Sequence, residues 1–107
     1  MPINYEKEKN ALIFKLAGNI AWETAHRYSE EMMNLAEQED YESILVDFEN
    51  VDFVDSTGVG LLVELYKIAQ TRKKKLSVCR MKMAYKLAMI GLGSIIVNYD
   101  SKEEALC

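Results

Sequence analysis

Two short apolar runs, SILVDF at 43–48 and LSVC at 76–79, flank a stretch in which apolar residues return every three or four positions. Neither run is long enough for a helix, while Gly58, Leu61, Leu62, Leu65, Ile68 and Ala69 between them share one helical face ending near Arg72. Strand, helix, strand in that order makes the two strands parallel, because the chain must travel back along the sheet before it can start the second. The same alternation extends in both directions. Ala11 to Ala17 (ALIFKLA) reads as a strand and Ile3 to Lys9 as its partner, with Asn10 at a tight turn between them. Gly18-Asn19 breaks the pattern, and a helical period then runs from Ala21 through Ala25, Tyr28, Met32, Leu35 and Ala36 to about Gln38. Beyond LSVC, Ala84, Leu87 and Ala88 mark a short helix that stops at Gly91, and Ile95 to Tyr99 is a last strand. Ser101-Lys102-Glu103-Glu104 is a capping box that opens a terminal helix. The expectation is an α/β fold, a mostly parallel mixed sheet of about five strands backed by about four helices, with residues 1–107 as one domain.

Composition narrows the function classes. Half of the 107 residues are apolar and 28% are charged, the balance of a soluble domain with a modest core. Met1-Pro2-Ile3-Asn4 is followed by charge rather than a long apolar stretch, so no signal peptide or membrane span is expected and the place is cytoplasmic. Cys79 lies in an apolar segment and Cys107 is the last residue, which argues against a disulfide in a reducing compartment. The lone His26 stands in a polar helical stretch, distant in sequence from both cysteines, and no metal site or cofactor is expected. Eleven of the seventeen acids fall between Tyr28 and Tyr66, a span without lysine or arginine, and eight of the thirteen bases lie between Lys67 and Lys86. Two solvated faces that neutralise one another explain this split. A surface polarised to steer a charged protein partner also explains it. The run Arg72-Lys73-Lys74-Lys75 sits where the negative end of the preceding helix attracts cations, and with few aromatics nearby it does not read as a nucleic-acid patch.

The densest local pattern is VDFVDSTGVG at 51–60. An apolar run ends at Asp55, Ser56 falls at or beside a helix N-cap, Thr57 takes the first helical position, and Gly58 lies just inside. As bare sequence this is compatible with two readings, a helix cap worth about 1 kcal/mol or a place where a phosphate is added or held. Spacing excludes several catalytic readings. No lysine follows Gly60 as a P-loop requires, and position 63 is valine where a dinucleotide fingerprint needs glycine. Val54 stands where a nucleophile elbow needs glycine. Asp47, Glu49, Asp52 and Asp55 leave a magnesium site or a phosphoacceptor aspartate as a minor alternative.

VDFENVDFVDSTGVGLLVELYKIAQ resembles the signature of STAS domains, and specifically of the anti-sigma factor antagonists of bacteria. IGLGSIIVNYDSKEEAL is similar to the closing helix, strand and helix of that family, and KLAGNIAWETA to its strand, glycine turn and first helix. The resemblance covers nearly the whole chain. It implies a binding module rather than an enzyme. In its unphosphorylated form such a protein binds an anti-sigma factor that is also a serine kinase, which frees a sigma factor. Phosphorylation of the serine after the aspartate, here Ser56 with Thr57 as the alternative acceptor, ends binding, and a serine phosphatase resets the switch. The partner surface implied is Asp55, Ser56, Thr57, Gly58 and Val59 with Asn19 and Trp22, and the N–H groups of Gly58 and Val59 would hold the phosphate. Direct nucleic-acid binding is not implied. Family members often carry an acid shortly after the G-x turn, where this chain has Ala21-Trp22. That departure motivates a second reading, a constitutive STAS subunit of a stressosome-like or lipid-transport assembly in which Ser56 only caps its helix.

Overall fold

The computed structural model describes residues 3–82, 91, 93 and 95–107. Its order is β1 (Asn4–Glu8), β2 (Ala11–Ile20), α1 (Trp22–Gln38), β3 (Ser43–Val54), α2 (Ser56–Thr71), β4 (Lys75–Cys79), β5 (Val97–Tyr99) and α3 (Lys102–Leu106). The five strands form one sheet in sequence order, with β1 antiparallel to β2 and every later pair parallel. This is the mixed, mostly parallel sheet that the alternation predicts. Three helices lie among the described residues; the helix expected over Ala84, Leu87 and Ala88 lies outside them.

Strand alternation sorts the core into two layers. Leu12, Phe14, Leu16, Ile44, Val46, Leu76 and Val78 face α1 and α2, meeting Ala25, Met32 and Ala36 of one helix and Leu61, Leu62, Leu65 and Ala69 of the other. Ala11, Ile13, Leu45 and Cys79 face the opposite way and are covered by Tyr99, Ala105 and Leu106. Both sheet faces are therefore buried, as the near-continuous apolar runs require. Each fully buried Leu, Ile or Phe contributes about 1.5–3 kcal/mol. Lys9 and Asn10 both adopt left-handed backbone, φ 51° and 64°, which makes the predicted turn a two-residue hairpin loop closing Glu8 onto Ala11. Ser101 caps α3 by accepting from the Glu104 N–H at 3.1 Å, as the capping box predicts.

Three features differ from the sequence expectation. Gly18-Asn19 does not end β2, which continues to Ile20 with Gly18 at φ 75°. Strand β3 does not stop at Phe48 but runs on to Val54. The cause of both is a pair of bulges. Lys15 pairs with Asp47 and Ala17 with Asn50; then Gly18 pairs with Val51 and Asn19 with Phe53, so β3 carries an extra residue at each step. Each extra residue flips the alternation once, so Val51 joins Phe48 on the core side after the first bulge and Val54 returns to it after the second. Arg72 also serves a different helix end from the one expected. Its guanidinium donates to the carbonyls of Ala36 at 2.6 Å and Glu39 at 2.9 Å, at the C-terminus of α1, and lies 4.8 Å over the Tyr41 ring. Lys74 pairs with Glu42 at 3.6 Å and Lys75 reaches the Tyr99 hydroxyl at 3.2 Å, so three of the four cations in the basic run are engaged within the fold.

The two glycines of α2 are not equivalent. A Cβ on Gly58 would come 2.6 Å from Val54 Cγ1 and 2.7 Å from the Ile20 carbonyl oxygen, whereas one on Gly60 would meet nothing within 4 Å. Gly58→Ala is expected to destabilise by about 1–3 kcal/mol through overpacking against backbone. Gly60→Ala, mid-helix and unobstructed, should stabilise by roughly 0.5–1 kcal/mol. Urea unfolding of the two variants checks both signs, and a neutral Gly58→Ala would refute the close approach.

Candidate functional site

The carboxyl ends of β2 and β3 place the residues singled out in the sequence. Ile20 pairs with Val54, and the Asp55 N–H continues that ladder by donating to the Ile20 carbonyl at 3.2 Å. Asp55 is the N-cap of α2: its carboxylate accepts from the Gly58 N–H at 3.0 Å. Ser56 is thus the first helical residue and Thr57 the second, one place beyond the expected positions. Across the gap, the turn from Asn19 to Trp22 is held by one hydroxyl. Thr24 Oγ1 accepts from the Ala21 N–H at 2.9 Å and donates to the Asn19 carbonyl at 2.6 Å. This is the reciprocal half of a capping box, which satisfies the Ala21 N–H; α1 has no N-cap side-chain bond, since Ala21 has no polar side chain.

These residues separate by exposure. Ser56 and Asn19 are exposed, Asp55 and Thr57 are half-buried, and Trp22 is 64% exposed with its ring edge-on to His26 at 5.2 Å. Among the described residues the Ser56 hydroxyl has no hydrogen-bond partner. Thr57 instead lines a shallow groove between α1 and α2 together with His26, Ser29, Gly60 and Glu64. Gly58 and Val59 are buried, so the structure corrects their place in the partner surface: they seat the helix on the core and present no side chain to a visitor. Their N–H groups are also engaged, Gly58 by the Asp55 carboxylate and Val59 by the Asp55 carbonyl at 3.0 Å. The donors left for an anion are those of Ser56 and Thr57, which as first-turn groups have no intrahelical acceptor. One residue escaped the sequence reading. Phe53, paired opposite Asn19, is 45% exposed at this same end. An aromatic between two aspartates in VDFVD was the available signal.

The other acids do not assemble into an ion site. Among the described residues there is no group of three or more ligating side chains that could hold a metal. Asp47, 5% exposed, is bound by Arg80 through two contacts, Nη2 to Oδ2 at 2.7 Å and Nε to Oδ1 at 3.3 Å, while Nη1 reaches Glu49 at 2.6 Å. Burial pushes the Asp47 carboxyl up, but the Arg80 guanidinium and the Glu49 N–H outweigh it and hold the group below the ordinary carboxylate range. Burial beside this carboxylate pushes the Cys79 thiol up to about 11, which leaves it an unreactive core residue. Cys79 and Cys107 are both free.

With this geometry in place the chain finds its relatives. The model of the STAS domain family matches residues 2–105, and the chain belongs to that family. Among curated proteins it is 27% identical to an anti-sigma F factor antagonist of Paenibacillus polymyxa over 108 residues, 99% of this chain and 92% of the relative. Among solved structures it superposes on a proposed anti-sigma factor antagonist of Thermotoga maritima with a TM-score of 0.88 at 19% identity, covering 97% of this chain and 91% of that one. It also matches the Bacillus cell fate determinant SpoIIAA in its phosphorylated form, TM-score 0.77 at 19% identity, over 97% and 96% of the two chains. At such identities the structural matches speak for the fold. No helix among the described residues is long and apolar enough to cross a membrane.

The Asp47–Arg80 pair yields a pH dependence. A depressed carboxyl contributes its full stability above the unfolded value near 3.9 and loses it as pH falls through the folded value. Asp47→Asn should therefore flatten the acid limb of stability below about pH 4. Near neutrality it should cost about 2 kcal/mol, between surface and fully buried pairs because Arg80 keeps partial exposure. Urea midpoints measured from pH 2 to 7 check this, and parallel curves for the two proteins would contradict it.

Proposed function

We propose that this chain is an anti-sigma factor antagonist. Its unphosphorylated form docks on an anti-sigma factor that is also a serine kinase and releases a sigma factor. Phosphorylation of Ser56 ends docking, and a serine phosphatase restores it. The chain is the substrate and the binding module in this cycle, and it works in the cytoplasm. The observation that carries the reading is the Ser56 hydroxyl, exposed and without a partner among the described residues at the first turn of α2, with Asn19 and Trp22 at the same end of the sheet. The named function of the Paenibacillus relative and the phosphorylated state of the SpoIIAA structure support it.

The switch is electrostatic and needs no refolding. Phosphoserine brings about −1.5 to −2 charges to a turn that already holds the Asp55 carboxylate, with the exposed Asp52 just before it in the chain. Asp55 has taken the Gly58 donor, so the phosphate is left with the two N–H groups of Ser56 and Thr57. No lysine or arginine between Tyr28 and Tyr66 offers compensation. A partner that covers this turn must desolvate the dianion, at a cost of roughly 2–5 kcal/mol, which is a thirtyfold to several-thousandfold loss of affinity. Trp22 provides the apolar anchor, since a large exposed indole is the residue type that most often dominates such contacts. Ser56 rather than Thr57 is the acceptor, because Thr57 faces the α1–α2 groove.

Incubation with a cognate anti-sigma kinase and ATP, read by mass spectrometry, should place one phosphate on Ser56. The phosphate should persist in Thr57→Val and vanish in Ser56→Ala. In calorimetry Ser56→Asp should bind the kinase at least a hundredfold more weakly than the wild type, and Trp22→Ala at least tenfold more weakly. Equal binding by wild type and Ser56→Asp would overturn the switch and leave a constitutive STAS subunit as the better account.

A further inference from the structure

The first bulge of β3 is held by side chains at its own mouth. Between the pairs Lys15–Asp47 and Ala17–Asn50, β2 supplies one residue, Leu16, and β3 supplies two, Phe48 and Glu49. A bulge leaves backbone outside the ladder, and here the Glu49 N–H donates instead to Asp47 Oδ1 at 3.0 Å. The Asp47 side chain is buried, so its direction is set by what surrounds it. Arg80 sets it. Nη2 donates to Oδ2 at 2.7 Å and Nε to Oδ1 at 3.3 Å, while Nη1 reaches Glu49 Oε2 at 2.6 Å. One guanidinium therefore binds both the residue before the bulge and a residue within it.

Backbone fixes the guanidinium in turn. Among the described residues the pairing of β3 with β4 ends at Asp47 opposite Cys79, and Arg80 follows directly with a left-handed φ of 55°. A residue with a side chain keeps such backbone where its neighbours determine it. The Arg80 N–H donates to the Tyr99 carbonyl at 2.8 Å. On the next residue, the Asn98 amide accepts from the Met81 N–H at 3.2 Å and donates to the Met81 carbonyl at 3.3 Å. A stabilising ion pair needs only one carboxylate and one cation. This one also occupies the bulge amide and the Glu49 carboxylate.

What the bulge sets lies further along the chain. Without it, period two carries Asn50 inward and Val51 outward; with the second bulge kept, Phe53 then turns inward and Val54 outward. Gly58 packs against Val54 and Ile20, and the Ile20 carbonyl accepts from the Asp55 N–H. The cap of α2 therefore depends on the residue count at Phe48-Glu49. We propose that Asp47 and Arg80 are positioning residues for the Ser56 turn: by locking the first bulge they fix where α2 begins and which way Ser56 faces. Their effect on docking rests on the role given to Ser56 above, whereas their effect on the turn does not.

Two substitutions at Asp47 separate positioning from a loss of stability. Asp47→Asn loses the ion pair but keeps an oxygen for the Glu49 N–H, whereas Asp47→Leu is of similar size and has no acceptor. Nitrogen-15 NMR of the full chain reads hydrogen exchange at Glu49 relative to the Val46 amide of the same strand. Glu49 should be protected in the wild type and in Asp47→Asn, and should exchange about tenfold faster or more in Asp47→Leu and in Arg80→Met. The Asp55 and Ser56 signals should move in Asp47→Leu and stay in place in Asp47→Asn. In calorimetry with the cognate anti-sigma kinase, Asp47→Asn should bind within about threefold of the wild type, and Asp47→Leu about tenfold or more weakly. Rapid Glu49 exchange in the wild type, or unchanged exchange in Arg80→Met, overturns the lock even where Asp47→Leu does not fold. Unmoved Asp55 and Ser56 signals in a folded Asp47→Leu overturn the positioning, as does equal weakening of kinase binding by the two Asp47 variants. A wild type that binds no such kinase overturns the docking role of Ser56 instead, and the NMR signals then decide the positioning alone.

Discussion

The close approach of α2 to the paired ends of β2 and β3 governs the architecture of the Ser56 end. Asp55 joins the two systems: its N–H extends the sheet by bonding to Ile20, and its carboxylate starts the helix by capping Gly58. That junction works only if the third residue of the helix has no Cβ, because Val54 and the Ile20 carbonyl fill the space one would need. A helix N-terminus pressed onto a sheet end loses freedom to shift. Ser56, one residue past the cap, is consequently held in a defined outward position without any hydrogen bond from its own side chain to another described residue.

This explains why the residue types in VDSTGVG occupy those places. Aspartate caps and serine points outward. Threonine lines the groove between the helices, and the first glycine permits contact with the sheet. The second glycine has no such steric demand, and its open surroundings leave the groove floor beside Thr57 flat. A cap made by a carboxylate rather than by the serine has an electrostatic consequence. The helix terminus is already partly compensated by one negative charge, so a second anion gains less from the dipole and meets repulsion at short range. The same terminus that binds phosphate when bare becomes one at which phosphate remains prominent and solvated.

Much of the fold was legible because period two and period 3.6 alternate along the chain with few ambiguous residues between them. Trp22–Gln38, Ser56–Thr71 and the hairpin at Lys9-Asn10 follow from spacing and turn chemistry. What could not be read was the second half of β3. Phe48, Val51 and Val54 are spaced by three, which belongs to neither template, and only the two bulges against β2 reconcile that spacing with a strand. The same misreading concealed Phe53 and placed the end of β2 too early. At the site, the identity of the exposed serine came from the local pattern, but the engagement of the Gly58 and Val59 N–H groups depended on which residue was the cap. Two adjacent capping residue types, Asp and Ser, leave that choice to tertiary contact. Here the Asp55–Ile20 bond decides it.

The bulges also explain why this protein has distinct ends. Near Asp47 the sheet is five strands wide and its polar groups are closed off, with Arg80 folded over the carboxylate from a left-handed backbone position, φ 55°. Among the described residues β2 and β3 continue past the bulges as a two-stranded ribbon that carries Asn19, Phe53 and, directly after it, Ser56. A two-stranded ribbon has too little apolar area to hold itself, so the contact of Val51 and Val54 with the core and the seat of Gly58 on Ile20 must fix its direction. The charge split in the sequence follows the same division. Bases are drawn to the helix ends and the closed part of the sheet, where Arg72, Lys74 and Arg80 find partners, and are absent from the ribbon and from residues 56–66 of the helix it leads into. With no base between Tyr28 and Tyr66, an added dianion at this turn finds no salt-bridge partner on the ribbon or in the first turns of α2.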